Sequence, residues 1–344
     1  MLFMLCKISL EVTLILSFFS SSNIALISKI VGAKRWTEFR PISLCTFFNK
    51  LNSKIIASRL AIILLRIISL NQTGFVKGRS ISDNVLLAQE LVNDINTKVS
   101  GGNIIFKLDI TKAYDNLDWN FLYKVLSLFG FSQDFILLIK NSVDNCFFSV
   151  IINDRNHGLF KSFKGHRQGD TISPALFIIA MEYLSRGLND LFAKNFSLKF
   201  RNIRGFPISH LSFVDDFILF ANGSIKNIKI LMKHLSKFHK CSGLNVSKEK
   251  SNFFVGKSIN HNRIMAIQRV CGFQSKNLPI KYFGTPIYKG KKKNFLFEDI
   301  FTIIQKKLVY LFSLFWWSFG ACESCAQFDS YLFVSHFNAF CDLV

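Results

Sequence analysis

Acidic residues are scarce in this chain: 22 Asp and Glu stand against 43 Lys and Arg among 344 residues, a formal net charge of +21. An imbalance of that size excludes a charge-balanced surface. It points to a polyanionic partner, either nucleic acid or an anionic membrane, or else to a solvated basic face. Internal repeats and low-complexity linkers are missing, which excludes a repeat array and a string of modules on flexible tethers. Membrane-spanning runs are missing too. Met1 to Phe19 is largely apolar with Lys7 near its front, as in a secretory leader. Lys7 and Glu11 interrupt it, however, so no uncharged stretch reaches the roughly 18–20 residues that a span needs. A disulfide framework is absent from the cysteine pattern: Cys6, Cys45, Cys146, Cys241 and Cys271 stand singly among apolar or helical neighbours, as reduced intracellular thiols do. Cys322 and Cys325 form a C-x-x-C with His336 and Cys341 behind it, a donor set zinc can use, yet the surroundings lack turn-forming glycines and are strongly apolar.

What is present is a core. Half of the chain is hydrophobic, enough for one large domain or two to three smaller ones. Helical and strand patterns alternate from about Phe39 to Gly256, which predicts a mixed α/β or α+β body. Helices are expected over Asn49 to Ser69, Asn84 to Ile95, Trp119 to Phe129 with Asp118 as N-cap, Ser173 to Leu191 with Pro174 in the first turn, and from Ser224 to Cys241, closed by Gly243. Lys226, Lys229, Lys233, Lys237 and Lys240 recur along the last of these, either as a solvated face or as phosphate contacts. Ile104 to Ile110 is a strand candidate, and His210 to Phe213 with Phe217 to Ala221 forms a hairpin around Val214-Asp215-Asp216.

Two features carry chemistry. Phe106-Lys107-Leu108-Asp109 puts a carboxylate at the end of an apolar strand, where a ligand can reach it. Asp215 and Asp216 lie side by side between two apolar strands, where they repel each other and lose hydration unless a cation neutralises them. The plain alternative for each is a solvated turn. Taken together, three carboxylates from neighbouring strands can hold two Mg²⁺ ions roughly 4 Å apart, as two-metal phosphoryl transfer requires. Magnesium suits few carboxylates and keeps positions for phosphate oxygens and water.

With these residues in place, the chain resembles the reverse transcriptases of non-LTR (LINE-type) retrotransposons, the plant-type group in particular, whose hairpin usually reads Phe-Ala-Asp-Asp. The supporting pieces follow in the family's order over roughly Ala25 to Ile287: Phe39-Arg40-Pro41-Ile42-Ser43-Leu44; Gln72-Thr73-Gly74-Phe75-Val76-Lys77-Gly78-Arg79-Ser80; Lys107 to Asp115; Gly165-His166-Arg167-Gln168-Gly169-Asp170; Ser242-Gly243-Leu244 with Lys250-Ser251; and Leu278 to Gly284. The resemblance implies an α+β right-hand polymerase with an incomplete thumb. It implies an apolar leader over 1–23, fingers over 24–103, a palm over 104–256, a primer-grip region and thumb start over 257–294, and a degenerate or frameshifted tail over 295–344. The implied activity is RNA-directed DNA synthesis on an RNA template from a DNA primer with deoxynucleoside triphosphates, using two Mg²⁺ or Mn²⁺ ions on Asp109, Asp215 and Asp216. Tyr114 would exclude a ribose 2′-hydroxyl, Gln168 and Gly169 would lie under the nucleotide, Arg79 would meet the triphosphate and Lys250 would protonate pyrophosphate.

The sequence departs from the family's pattern at several points. Val214 replaces the small residue of the hairpin, Ser28 stands where proline is usual, and His166 and Thr171 differ from the commonest form. After Asn294 the expected helical thumb pattern decays into text such as Leu311-Phe312-Ser313-Leu314-Phe315-Trp316-Trp317. No endonuclease precedes the motifs and no RNase H-like carboxylate set follows them. The alternative expectation is therefore a catalytically inactive nucleic-acid-binding relic of such an element. An intracellular place, nucleus or cytoplasm, and no membrane contact complete the reading.

Overall fold

The computed structural model describes residues 21–144, 146–291 and 294–318. Most of the apolar leader and the Cys322, Cys325, His336 and Cys341 set lie outside the described residues. The chain divides into two compact units at Asn277/Leu278.

The first unit carries two sheets. Strands β1 (Ser22–Ser28), β2 (Phe39–Cys45), β4 (Phe147–Ile152) and β5 (Arg155–Lys161) form a four-stranded sheet in the order β2-β1-β4-β5, with β1 and β4 parallel. Strands β3 (Asn103–Asp109), β6 (His210–Phe213), β7 (Asp216–Asn222), β8 (Asn252–Val255) and β9 (Gln274–Ser275) form the other, in the order β6-β7-β3-β8-β9. Strand β3 is central because it can be covered on both faces: Ile104, Ile105 and Phe106 are consecutive and fully buried. Its register places Phe106 between Leu219 and Phe253, and Asp109 opposite Asp216.

Helix starts follow their capping residues. Helix α1 (Phe47–Ile67) begins two residues before the expected Asn49 because the Thr46 hydroxyl accepts from the Asn49 amide. Helix α2 (Ile81–Asn93) starts behind Ser80, and α4 (Trp119–Leu128) behind Asp118, whose carboxylate accepts from the Phe121 amide at 2.8 Å. A single turn, α3 (Ala113–Asn116), precedes α4, and α5 (Gln133–Asp144) follows it. Helix α6 (Ser173–Lys194) is the hub. Every residue from Ala175 to Met181 is buried, so it is apolar all round and runs through the core among α1, α4 and α7 (Ile225–Ser242). Each large side chain buried there contributes about 1.5–3 kcal/mol. Its one buried acid, Glu182, accepts from the Ser69 hydroxyl and from Arg186. Helix α7 ends at Gly243, in the left-handed region at φ 74°, and its five lysines are all exposed along one line while Ile228, Leu231, Leu235 and Phe238 are buried. Helix α8 (His261–Cys271) packs against α7.

The two sheets interleave along the sequence. Hairpin β4–β5, inside the stretch assigned to the palm, joins the sheet of β1 and β2, because β1 still has a free edge that β4 pairs in parallel. Strand β9 lies beyond residue 256 yet extends the five-stranded sheet.

The second unit contains hairpin β10 (Ile280–Tyr282) and β11 (Thr285–Ile287), turned by Phe283 and Gly284, both at positive φ as a type I′ turn requires. Helix α9 (Glu298–Ser318) follows. The segment after Asn294 has no Gly or Pro up to Ser318, and its Leu, Ile and Phe run tolerates a helix. Among the described residues, no helix is long and apolar enough to cross a membrane.

Candidate active site

The three aspartates meet at one end of the inner strands of the five-stranded sheet. Asp109 ends β3 and Asp216 begins β7, directly opposite in register, which puts their Cβ atoms about 4.5–5.5 Å apart. Asp215 lies in the two-residue turn between Phe213 and Asp216. The end of β3 is pinned from the far side. The Asp109 amide donates to the Ser251 hydroxyl at 3.0 Å, and the Asp109 carbonyl accepts from the Ser247 amide at 2.8 Å. Lys250 belongs to that same turn, exposed, with its amide donating to the Ser247 hydroxyl.

The electrostatics are those of crowded acids. Burial raises the Asp215 carboxyl above the ordinary range, and the charges of Asp216 and Asp109 add to the shift while a main-chain hydrogen bond opposes it. Burial likewise raises Asp216, against the pull of Lys107, whose ammonium stands 4.0 Å away. Lys107 was not foreseen from the motifs. The two-residue period of a strand puts it on the same face as Asp109, and that signal was available.

Tyr114 sits in α3, stacked on Phe177 with ring centroids 5.3 Å apart. Burial first, and then the charge of Asp215, push its phenol up to about 12. The loop before α6 locks this turn. The His166 amide donates to the Tyr114 carbonyl at 2.6 Å and the Gly165 amide to the Leu117 carbonyl at 2.8 Å. Gln168 and Gly169 pack on β2, where the Ser43 amide donates to the Gln168 carbonyl at 2.7 Å and a Cβ on Gly169 would stand 3.2 Å from the Ser43 carbonyl oxygen. The Arg167–Asp170 ion pair at 2.6 Å is buried under this loop. A cavity of about 150 Å³ beside it, lined by Pro41, Ser43, Trp119, Lys164, Arg167 and Gln168 among others, is not lined by Tyr114, Asp109, Asp215 or Asp216.

Arg79 is held by main chain. Its guanidinium donates to the carbonyls of Ile68, Ser69 and Gln72, so three of its five N–H donors are held by main chain at the end of α1. The sequence offered only a cation in a glycine-rich loop, and such a loop can fold back on its own carbonyls.

Opposed carboxylates at the ends of two inner strands, a strand hairpin carrying a third, and helices behind define a polymerase palm. The likeness extends to solved structures. Apo telomerase from Candida tropicalis superposes with a TM-score of 0.53 at 14% identity, over 81% of this chain and 50% of that one. Telomerase from Candida albicans in complex with a TWJ fragment of telomeric RNA gives 0.51 at 18%, over 70% and 42%. These establish the right-hand polymerase fold.

The chain belongs to the reverse transcriptase (RNA-dependent DNA polymerase) family, whose model matches residues 32–287. It is 28% identical over 235 residues to the retrovirus-related Pol polyprotein from the type-2 retrotransposable element R2DM of Drosophila melanogaster, covering 67% of this chain and 21% of that protein. It is 26% identical over 256 residues to the transposon TX1 uncharacterized 149 kDa protein of Xenopus laevis, covering 73% and 18%. The chain therefore spans about a fifth of the length of these relatives.

The family generally works with divalent metal ions. Among the described residues no three His, Cys, Asp or Glu side chains close into a cage by themselves. The donor set nevertheless fits a hard divalent cation. All three groups are carboxylates, and the burial that chiefly raises Asp215 and Asp216, with the repulsion from neighbouring carboxylates that adds to it, is what a bound cation offsets.

Proposed function

We propose that this chain is the RNA-directed DNA polymerase core of a non-LTR retrotransposon of the plant-type group, extending a primer 3′-end on an RNA template with deoxynucleoside triphosphates. The observation that carries the reading is the register of Asp109 against Asp216, with Asp215 in the adjoining turn, inside a chain of the reverse transcriptase family. The similarity to retrotransposable-element polyproteins supports the assignment to a mobile element.

Asp109, Asp215 and Asp216 would hold two Mg²⁺ ions, or Mn²⁺ in their place. Such ions lower the pKa of an attacking hydroxyl and shield charge on the departing pyrophosphate. The protein's own groups do the rest. Tyr114 presents a half-buried ring that feels the charge of Asp215, bulk that a ribose 2′-hydroxyl would strike. The Gln168-Gly169 backbone, held on β2, offers a floor on which a base can lie close, as glycine permits. Lys250, exposed on the turn that pins Asp109, is the proton donor assigned to pyrophosphate. Arg79, committed to carbonyls, supports the loop instead of the triphosphate. We assign the sheet of β1, β2, β4 and β5 to fingers, the five-stranded sheet to palm, and residues 278–294 to the primer grip and thumb start. Basic surface groups would hold the template–primer through its backbone, with binding that weakens as salt rises. The place of action is intracellular.

Primer extension on an RNA template with Mg²⁺ and deoxynucleotides tests this, beside a chain carrying Asp215→Ala and Asp216→Ala. Extension that disappears in the double variant is the expected result. A folded chain that binds primer–template and adds no nucleotide would replace the reading with that of an inactive nucleic-acid-binding relic.

A further inference from the structure

The carboxylate turn is strained, and one side chain from outside the sheet grips it. Val214 is the first residue of the turn and has φ 57°, while Asp215 is not among the positive-φ residues. That is the pattern of a type II′ turn, whose first position is normally glycine. A β-branched residue there is a true outlier and persists only where its surroundings hold it.

Gln72 supplies the hold. Its side chain is 2% exposed. Its Oε1 accepts from the Val214 amide at 2.9 Å and from the Gly74 amide at 2.8 Å, and its Nε2 donates to the Val214 carbonyl at 3.4 Å. One carboxamide therefore grips both peptide groups of the strained residue. The approach needs Gly74: a Cβ there would stand 2.6 Å from Val214 Cγ2 and 2.8 Å from the Val214 nitrogen.

The segment around Gln72 is itself tied to β6. The Ser212 amide donates to the Asn71 carbonyl at 2.8 Å, the Thr73 amide donates to the Ser212 carbonyl at 3.1 Å, and the Asn84 carboxamide donates to that same carbonyl at 2.9 Å. Arg79 anchors it from below by donating to the Gln72 carbonyl at 2.6 Å.

We propose that Gln72 is a positioning residue for the carboxylate turn, holding Val214 in its left-handed conformation and so setting where Asp215 and Asp216 stand. It touches neither nucleotide nor acid; it acts through the turn. The proposal rests on the polymerase reading only for its catalytic consequence. The clamp itself is a property of the fold.

The test is a double-mutant cycle of Gln72→Ala with Val214→Gly, because glycine adopts positive φ freely and needs no clamp. Gln72→Ala should lower kcat for primer extension by about 10–100-fold, with KM for the deoxynucleotide changed by less than about threefold, since a misplacement near 1 Å costs that much in rate. In the Val214→Gly background the same change should cost at least about fivefold less, the non-additivity of groups acting through one element. Equal losses in both backgrounds, including a general loss of folding, would overturn the assignment.

Amide hydrogen exchange gives a readout that needs no activity. Gln72→Ala should speed exchange at Val214 and Gly74 while leaving the Phe106 and Leu219 amides of the β3–β7 ladder protected. Undisturbed Val214 and Gly74 amides would overturn the proposal. If the unmodified chain extends no primer, the polymerase reading falls, and the exchange measurement still decides the role of Gln72.

Discussion

Replacing Gly165 by alanine should unsettle the position of Tyr114 from outside the carboxylate cluster. Gly165 has φ 82°, and a Cβ built on it would stand 2.6 Å from the Asp115 carbonyl oxygen and 2.7 Å from that of Tyr114. Both are main-chain atoms of α3, so no side-chain rotation relieves the contact. The left-handed conformation costs a non-glycine residue about 1–2 kcal/mol. Overpacking typically adds about 1–3 kcal/mol, for roughly 2–5 kcal/mol together. In a unit of this size that lowers the melting temperature by about 4–20 °C. Trp119 is a built-in reporter, since its indole N–H donates to the Gly165 carbonyl at 2.6 Å and its fluorescence follows the loop. Beyond stability, the displaced turn carries the ring that would reject ribonucleotides. The ratio of kcat/KM for ribonucleotide against deoxynucleotide should rise in the variant. A melting temperature within about 2 °C of the parent, with an unchanged ratio, would refute the claim that the 165–169 loop holds Tyr114 in place.

Three further outcomes follow from the same geometry. Arg79→Ala should cost about 2–3 kcal/mol in urea denaturation, because the carbonyls of Ile68, Ser69 and Gln72 lose a charged donor, and should leave KM for the nucleotide unchanged. A raised KM at unaltered stability would return Arg79 to the triphosphate. Tyr114→Ala should admit ribonucleotides in a primer-extension assay while Tyr114→Phe, which keeps the ring, should not; equal selectivity in all three chains would dismiss the gate. Stability should fall on mild acidification. Burial lowers His210 to about 3 and, with the charge of Arg167 adding, lowers His166 to about 4, so the unfolded chain takes up protons first. Their contribution is whole above the ordinary value of 6.5. It drains as pH falls toward 3 for His210 and toward 4 for His166, at up to about 1.4 kcal/mol per pH unit for each imidazole. Urea midpoints between pH 7.5 and 5 measure this, and His210→Gln should flatten the slope.

Much of the site was legible because local chemistry dictated it. Asp118, Ser224 and Gly243 mark helix ends wherever the chain goes next, and each does so here. The hairpin at Val214-Asp215-Asp216 was legible from apolar strands on either side, though β7 begins at Asp216 instead of Phe217 because Asp216 pairs with Phe213. The surroundings of Arg79 were not legible, for the converse reason. A guanidinium near a glycine-rich loop looks the same in sequence whether it faces a phosphate or three carbonyls. Hairpin β4–β5 joined the sheet of β1 and β2 across more than a hundred residues, a pairing no local pattern encodes.

By itself the sequence determined the capped helices, the apolar strand at the centre of the five-stranded sheet, the β6–β7 hairpin and the identity of the acids, since capping, periodicity and charge are properties of short stretches. Only the tertiary structure decided that Asp109 lies opposite Asp216, that Lys107 stands 4.0 Å from it, and that Gln72 grips Val214 from 142 residues away. Those are register and packing decisions. They depend on which strands pair and which loops fold against them, and the energy that selects among them comes from burying one core shared by the whole unit.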